Sequence, residues 1–299
     1  MSYEARPLGK STLSTSPLAW GMWRFRGDDV AAAQGLVEAA LDAGMTLLDT
    51  ADIYGPDNGE PFGAAEALLG RVLKAAPHLR RRMTLASKGG IVMGVPYDSS
   101  PAYLEQAVEA SLSRLGVERI DLYQIHRPDS LAHPAAVAET LTRLRTAGKI
   151  GEVGLSNHTA AQVAAVQAHL SFPLACVQVE FSALAIEPLS DGTLDQAMAS
   201  GMGVLAWSPL AQGRLGISTK GGARAEAVRQ TLDAVALVKG VSRTAVAYAW
   251  IVAHPSGAVP IIGTQQPERI VEATEALKVE LTRAEWYTIL TAARGTPLP

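Results

Sequence analysis

Short apolar runs recur along the chain, with longer amphipathic stretches between them. The runs at residues 18–21, 45–48, 83–87, 120–125, 152–155, 176–179, 204–206 and 259–262 read as buried strands. Segments 28–43, 101–115, 134–147, 159–169 and 193–200 carry the three-to-four-residue apolar spacing of helices with one buried face. Gly44, Gly116 and Gly148 follow the first three of these segments, where a C′ glycine closes a helix. Asp28, Ser100 and Thr159 stand where N-caps are expected. Successive strands begin mostly 27 to 38 residues apart, which suits a βα unit with a right-handed crossover. The last interval, about 55 residues, has room for a glycine-rich loop (Gly213, Gly216, Gly221, Gly222) and helices over 223–239 and 242–253. Two further helices, over 267–277 and 283–293, close the chain.

Eight such units predict an α/β fold: a single (β/α)8 TIM barrel over residues 1–299, with an N-terminal hairpin and extra C-terminal helices. A doubly wound sheet is the competing arrangement. Its dinucleotide-binding form needs G-x-G-x-x-G directly after an early strand. The nearest match, Gly148-x-x-Gly151-x-x-Gly154, precedes and enters a strand instead. Gly9-Lys10-Ser11 ends like a phosphate-binding loop. Yet Glu4 occupies the position of that motif's first glycine and no strand precedes it, so a hairpin turn is the expectation.

Composition narrows the class. At 299 residues, with 48% hydrophobic and 18% charged, the chain can bury a large core without disulfides. Its net charge of −3 and scattered basic residues argue against nucleic acid or an anionic membrane as partner. Arg80, Arg81 and Arg82 read as a solvated helix end. Cys176, the one cysteine, sits in an apolar run and is expected in the core. The start, Met1 to Glu4, lacks the apolar region of a secretory signal, and no window suits a membrane span, so a cytoplasmic location is expected.

Chemistry in a barrel collects at the C-terminal ends of its strands. There the second strand delivers Asp49, with Tyr54 five residues on; the third delivers Lys88 and the fourth His126. A structural Asp49–Lys88 ion pair would explain some of these singly. Four converging on one rim point to chemistry, because an unpaired buried charge costs several kcal/mol. A phenol is a poor acid at neutral pH unless its anion is stabilised. Lys88 is expected to make Tyr54 more acidic, with Asp49 keeping the lysine charged and His126 orienting a substrate oxygen. The set can polarise and protonate a carbonyl, but it supplies no hydride, so a nicotinamide cofactor is the missing partner. Neither metal-ligand histidine spacing nor a G-x-S-x-G elbow occurs.

These residues resemble the aldo-keto reductase superfamily, and within it a bacterial oxidoreductase branch, from Leu18 to the end of the chain. Asp49-Thr50-Ala51-Asp52-Ile53-Tyr54-Gly55 matches the family's D-T-A-x-x-Y-G, and Ser87-Lys88 and Ile125-His126 match its lysine and histidine blocks. The resemblance implies that Asp49, Tyr54, Lys88 and His126 form a catalytic tetrad. It also implies that Ser156, Asn157 and Gln178 hold the nicotinamide carboxamide, that Trp207 stacks on the ring in place of the usual tyrosine, and that Ser208, Leu210 and Gly213 follow the pyrophosphate. Near the eighth strand, relatives carry P-K-S-x-x-x-x-R for the 2′-phosphate. Here Thr264 and Arg269 fit that pattern, Gly263 replaces the lysine, and Ala273 replaces an adenine-contacting asparagine. NADPH is therefore the expected cofactor, with a weakened preference that leaves NADH possible.

The implied function is reduction of a small-molecule carbonyl by a monomer. Trp23 and Arg127 are expected at the pocket mouth, where Trp23 suits apolar or aromatic carbonyls and Arg127 either admits an acidic substrate or, the favoured reading, joins a rim salt bridge. Two other readings stay open: a nicotinamide-binding redox sensor with little turnover that works through a protein partner, and a Schiff-base lyase using Lys88.

Overall fold

The computed structural model describes residues 5–218 and 221–298. The amino-terminal residues 1–4, read above for a leader, lie outside the described residues. An antiparallel hairpin, β1 (Arg6–Pro7) and β2 (Ser14–Thr15), precedes the barrel. Its turn passes under the bottom of the barrel. Gly9 has φ +59°, and a Cβ there would lie 2.5 Å from the Gly203 amide nitrogen, so the approach requires glycine.

Strands β3 (Ala19–Gly21), β4 (Leu47–Asp49) and β5 (Thr84–Gly89) follow, then a small hairpin of β6 (Ile91–Val92) and β7 (Val95–Tyr97). Strands β8 (Ile120–Ile125), β9 (Ile150–Ser156), β10 (Cys176–Glu180), β11 (Gly203–Trp207) and β12 (Val259–Ile262) complete a closed barrel in which β12 pairs with β3, all in parallel. Closure, rather than the open doubly wound sheet, settles the choice left by the sequence pattern. Each of the eight barrel strands falls within a few residues of its predicted run, whereas the β6–β7 hairpin was not expected.

Helices α1 (Val30–Asp42), α2 (Ala64–Ala75), α3 (Pro101–Leu115), α4 (Pro134–Thr146), α5 (Ala160–Gln167) and α6 (Thr193–Ser200) are followed by α7 (Gly222–Lys239), α8 (Arg243–Val252), α9 (Pro267–Ala273) and α10 (Arg283–Arg294). Helix α2 was not among the expected segments. Its buried residues Ala65, Leu68, Leu69, Val72 and Leu73 have helical spacing, but it opens on Gly63 without a side-chain cap. The cap of α1 is Asp29, which accepts from the Ala32 amide, one residue after the expected Asp28. Ser100 and Thr159 cap α3 and α5 as expected.

Two apolar layers result. The larger lies between strands and helices, and a smaller one inside the barrel includes Leu47, Ala86, Leu122, Leu205 and the buried Cys176. Arg80 and Arg82 leave the run of three to pair with Asp121 and Asp42. Among the described residues no single helix is long and apolar enough to cross a membrane, and no group of His, Cys, Asp or Glu is placed to hold a metal ion.

Candidate active site

Parallel strands bring Asp49, Lys88 and His126 to the same end of the barrel. Asp49 is the last residue of β4, Lys88 the penultimate residue of β5, and His126 follows β8. Past Asp49 the chain stays zipped to β5, because Thr50 donates its amide to Ala86 O and Asp52 donates its amide to Lys88 O. The turn then places Tyr54, whose carbonyl accepts from the Ala65 amide at the start of α2. A backbone fixed on both sides of Tyr54 aims the phenol back over the barrel.

Lys88 is fully buried, and its ammonium donates to Asp49 Oδ2 at 2.7 Å, Thr50 O at 2.8 Å and the Tyr54 hydroxyl at 3.2 Å. All three of its protons are thus directed. Asp49 accepts further from Gln178 Nε2 at 2.9 Å and Gln124 Nε2 at 3.4 Å, which spreads its charge over three donors. The His126 ring stands edge-on to Tyr54, with centroids 5.8 Å apart, and its Nδ1 is buried without a partner.

Electrostatics assign protonation states. Burial tends to discharge Lys88, but the Asp49 and Tyr54 charges and hydrogen bonds outweigh it and raise the ammonium pKa above its usual value. His126 is pushed well below the ordinary imidazole range by burial and by the Lys88 and Arg127 cations, so it is neutral. The expectation that Lys88 makes Tyr54 acidic needs correcting: burial is the largest cause and raises the phenol pKa, with Lys88 only partly opposing it. In this site Tyr54 holds its proton.

The further positions from the resemblance lie on the same rim. Ser156 ends β9, Gln178 lies within β10, and Trp207 ends β11. Asn157, at φ +60°, donates through Nδ2 to His126 O and Ser156 Oγ and accepts from the Trp207 indole N–H at 2.9 Å. After Trp207, Ser208, Ala211 and Gln212 also have positive φ, between 50° and 59°. A left-handed non-glycine residue costs on the order of 1 kcal/mol, and a cluster of them marks a strained loop held for its shape. Leu210 and Gly213 belong to this turn. Gly263 and Thr264 follow β12, with Arg269 exposed on α9.

Trp23 is 40% exposed and is tied across the mouth by its indole N–H to Asp57. Arg127 does not form the expected salt bridge: among the described residues it pairs with no carboxylate and lies 5.7 Å from the Trp207 ring centre. The guanidinium instead rests over the flat indole face.

A second polar cluster behind β5 was missed by the motif reading. Glu66, fully buried on α2, accepts from Ser87 Oγ and from Arg114 Nε at 2.8 Å, so the residue beside Lys88 is anchored to two helices. Next to it Asp52 is 1% exposed, and neither carboxyl oxygen completes a hydrogen bond. Burial first, and Glu66 second, push its pKa well above the carboxylate range, against the weaker pull of Arg114 and Lys88. An acid with a raised folded-state pKa stabilises the fold fully below its unfolded pKa of about 3.9, and that stability is lost as pH rises. Asp52→Asn removes the titration. It should therefore raise Tm at neutral pH, with a gain that vanishes near pH 4, as thermal melts across that range will read; an equal shift at every pH would contradict the cause given.

The geometry agrees with what comparison finds. The chain matches the profile of the aldo/keto reductase family over residues 17–293. It is 54% identical to a 6-dehydroglucose reductase of Novosphingobium aromaticivorans over 98% of this chain and 97% of that protein. It is 37% identical to a 6-dehydroglucose reductase of Agrobacterium fabrum, over 95% and 96%. In fold it is similar to the crystal structure of a thermostable aldo-keto reductase bound to epalrestat, with TM-score 0.82, 23% identity, and 97% and 99% of the two chains covered. The chain therefore belongs to the aldo/keto reductase family of oxidoreductases.

Proposed function

We propose that the protein reduces an aldehyde or ketone to the alcohol, with NADPH as reductant, NADH a poorer one, and Tyr54 as the proton donor. The observation that carries this reading is the buried Lys88 ammonium, which donates at once to Asp49 and to the Tyr54 hydroxyl. When bound, the dihydronicotinamide supplies the hydride.

The residues present suit that group. Ser156, Asn157 and Gln178 converge beside the partly open ring of Trp207, offering amide and hydroxyl partners next to a stacking face. The strained turn with Ser208, Leu210 and Gly213 gives a backbone track for a pyrophosphate, and Gly263, Thr264 and Arg269 lie further on. Within the site, neutral His126 orients the carbonyl oxygen. Tyr54 passes its hydroxyl proton to that oxygen as charge develops there. The Lys88 ammonium, already in contact, stabilises the phenolate left behind, and Asp49 keeps the lysine charged. A Schiff-base role suits Lys88 poorly, because it is fully buried and its pKa is raised.

For substrate, the 54% identity to a 6-dehydroglucose reductase favours a sugar aldehyde of that kind. The Arg127 guanidinium, which pairs with no carboxylate among the described residues, and the Trp23 indole at the mouth suit an oxygen-rich substrate with apolar faces. Purified protein should oxidise NADPH when given 6-dehydroglucose, faster than with simple aldehydes, dicarbonyls or keto acids, and more slowly with NADH throughout. If no carbonyl in that panel drives NADPH oxidation, the reading fails.

A further inference from the structure

Trp20 and Gln265 bolt the segment after β12 onto β3. The Trp20 indole donates to Thr264 O at 2.9 Å, and Gln265 Nε2 donates to Gly21 O at 3.2 Å. The turn leaving β3 is itself closed by the Phe25 amide on Met22 O. Two loops are therefore held side by side, and one of them carries Arg24.

The Arg24 guanidinium reaches across to Gly263. Its Nη1 lies 3.8 Å from where a Cβ at position 263 would stand, and beyond the adjoining residues no other described atom comes within 4 Å of that point. Arg24 leans on the Trp23 ring at 4.8 Å, is exposed, and pairs with no carboxylate among the described residues. Arg269, exposed on the helix after the same strand, is likewise unpaired among them. A long cationic side chain at 263 would compete with Arg24 for this space and repel it. Glycine leaves the space to the arginine.

We propose that Arg24 supplies, from the β3 turn, the cation that position 263 lacks, and that with Arg269 it holds the 2′-phosphate of NADPH. This rests on the cofactor reading above and sharpens it. A guanidinium offers a phosphate two parallel N–H donors, which a lone ammonium does not. The arrangement restores a 2′-phosphate preference that Gly263 by itself would weaken.

Calorimetry on the intact protein tests this without turnover. The probes are NADPH, NADH, adenosine 2′-monophosphate and adenosine 5′-monophosphate, with wild type, Arg24→Met, Arg24→Lys and Arg269→Met. Arg24 is exposed and in no ion pair among the described residues, so its replacement should leave the thermal midpoint unchanged, which a melt will verify. Arg24→Met should weaken NADPH and the 2′-monophosphate about tenfold and leave NADH and the 5′-monophosphate nearly unaffected, with Arg24→Lys intermediate. Equal weakening of NADPH and NADH would place Arg24 on the shared part of the dinucleotide and overturn the assignment. Undiminished NADPH binding in Arg24→Met, with wild type preferring NADPH, overturns it while the cofactor reading stands. Wild type that binds neither dinucleotide overturns both.

Discussion

Tyr54→Phe is expected to lower turnover by about 10²–10⁴-fold while leaving NADPH affinity intact. The substitution removes one oxygen and little else. Phenylalanine keeps the ring edge-on to His126 and keeps the ring under the Lys88 ammonium, 5.0 Å from the centroid. Lys88 still donates to Asp49 and to Thr50 O, so the buried pair survives. What is lost is the one hydroxyl to which Lys88 donates among the described residues. Because the proton is needed as the carbonyl oxygen becomes an alkoxide, the loss should fall on kcat and leave KM nearly unchanged. Steady-state kinetics with tryptophan quenching by the dinucleotide will separate the two; undiminished turnover removes Tyr54 as donor. The wild-type pH profile belongs to the same test. The raised phenol pKa keeps Tyr54 protonated, so with Tyr54 as the proposed donor carbonyl reduction should decline on its account only above the ordinary phenol range.

Much of this was legible in the sequence because a parallel barrel turns linear order into geometry. A strand buried on both faces reads as a short apolar run, and whatever polar residue ends it must lie on the rim. Asp49, Lys88 and His126 were found that way, and Tyr54 followed from its distance to Asp49. The cluster behind β5 was not legible. Glu66 sits in a helix whose start has no capping side chain, and Arg114 stands at the end of another, 48 residues away; only helix packing joins them to Ser87. The direction of the Tyr54 shift escaped for a related reason. Sequence order gives the neighbour, Lys88, but not the burial that outweighs it. Arg127 shows the same limit: the motif places it at the mouth, yet its resting place on Trp207 depends on where β11 ends.

Lys88→Met should damage both stability and activity, and the two losses can be separated. Methionine nearly fills the lysine's volume but donates nothing. Asp49, 2% exposed, is then left with only the neutral donors Gln178 and Gln124, and Thr50 O loses its partner. Breaking one side of a buried pair costs roughly 3–5 kcal/mol, which lowers Tm on the order of 10 °C in a domain of this size. The wild-type contribution has a definite pH window. Because Lys88's folded pKa is raised, its stabilisation is complete below the unfolded value of about 10.4 and is lost as pH climbs through the folded value. The Tm gap between wild type and Lys88→Met should therefore close in strong alkali. Adding Asp49→Leu to Lys88→Met removes the orphaned charge and should recover most of the lost Tm. It should recover none of the turnover, since nothing then stabilises the Tyr54 anion. A double variant that regained both would reduce the Asp49–Lys88 pair to a structural brace and remove the ammonium from the chemistry.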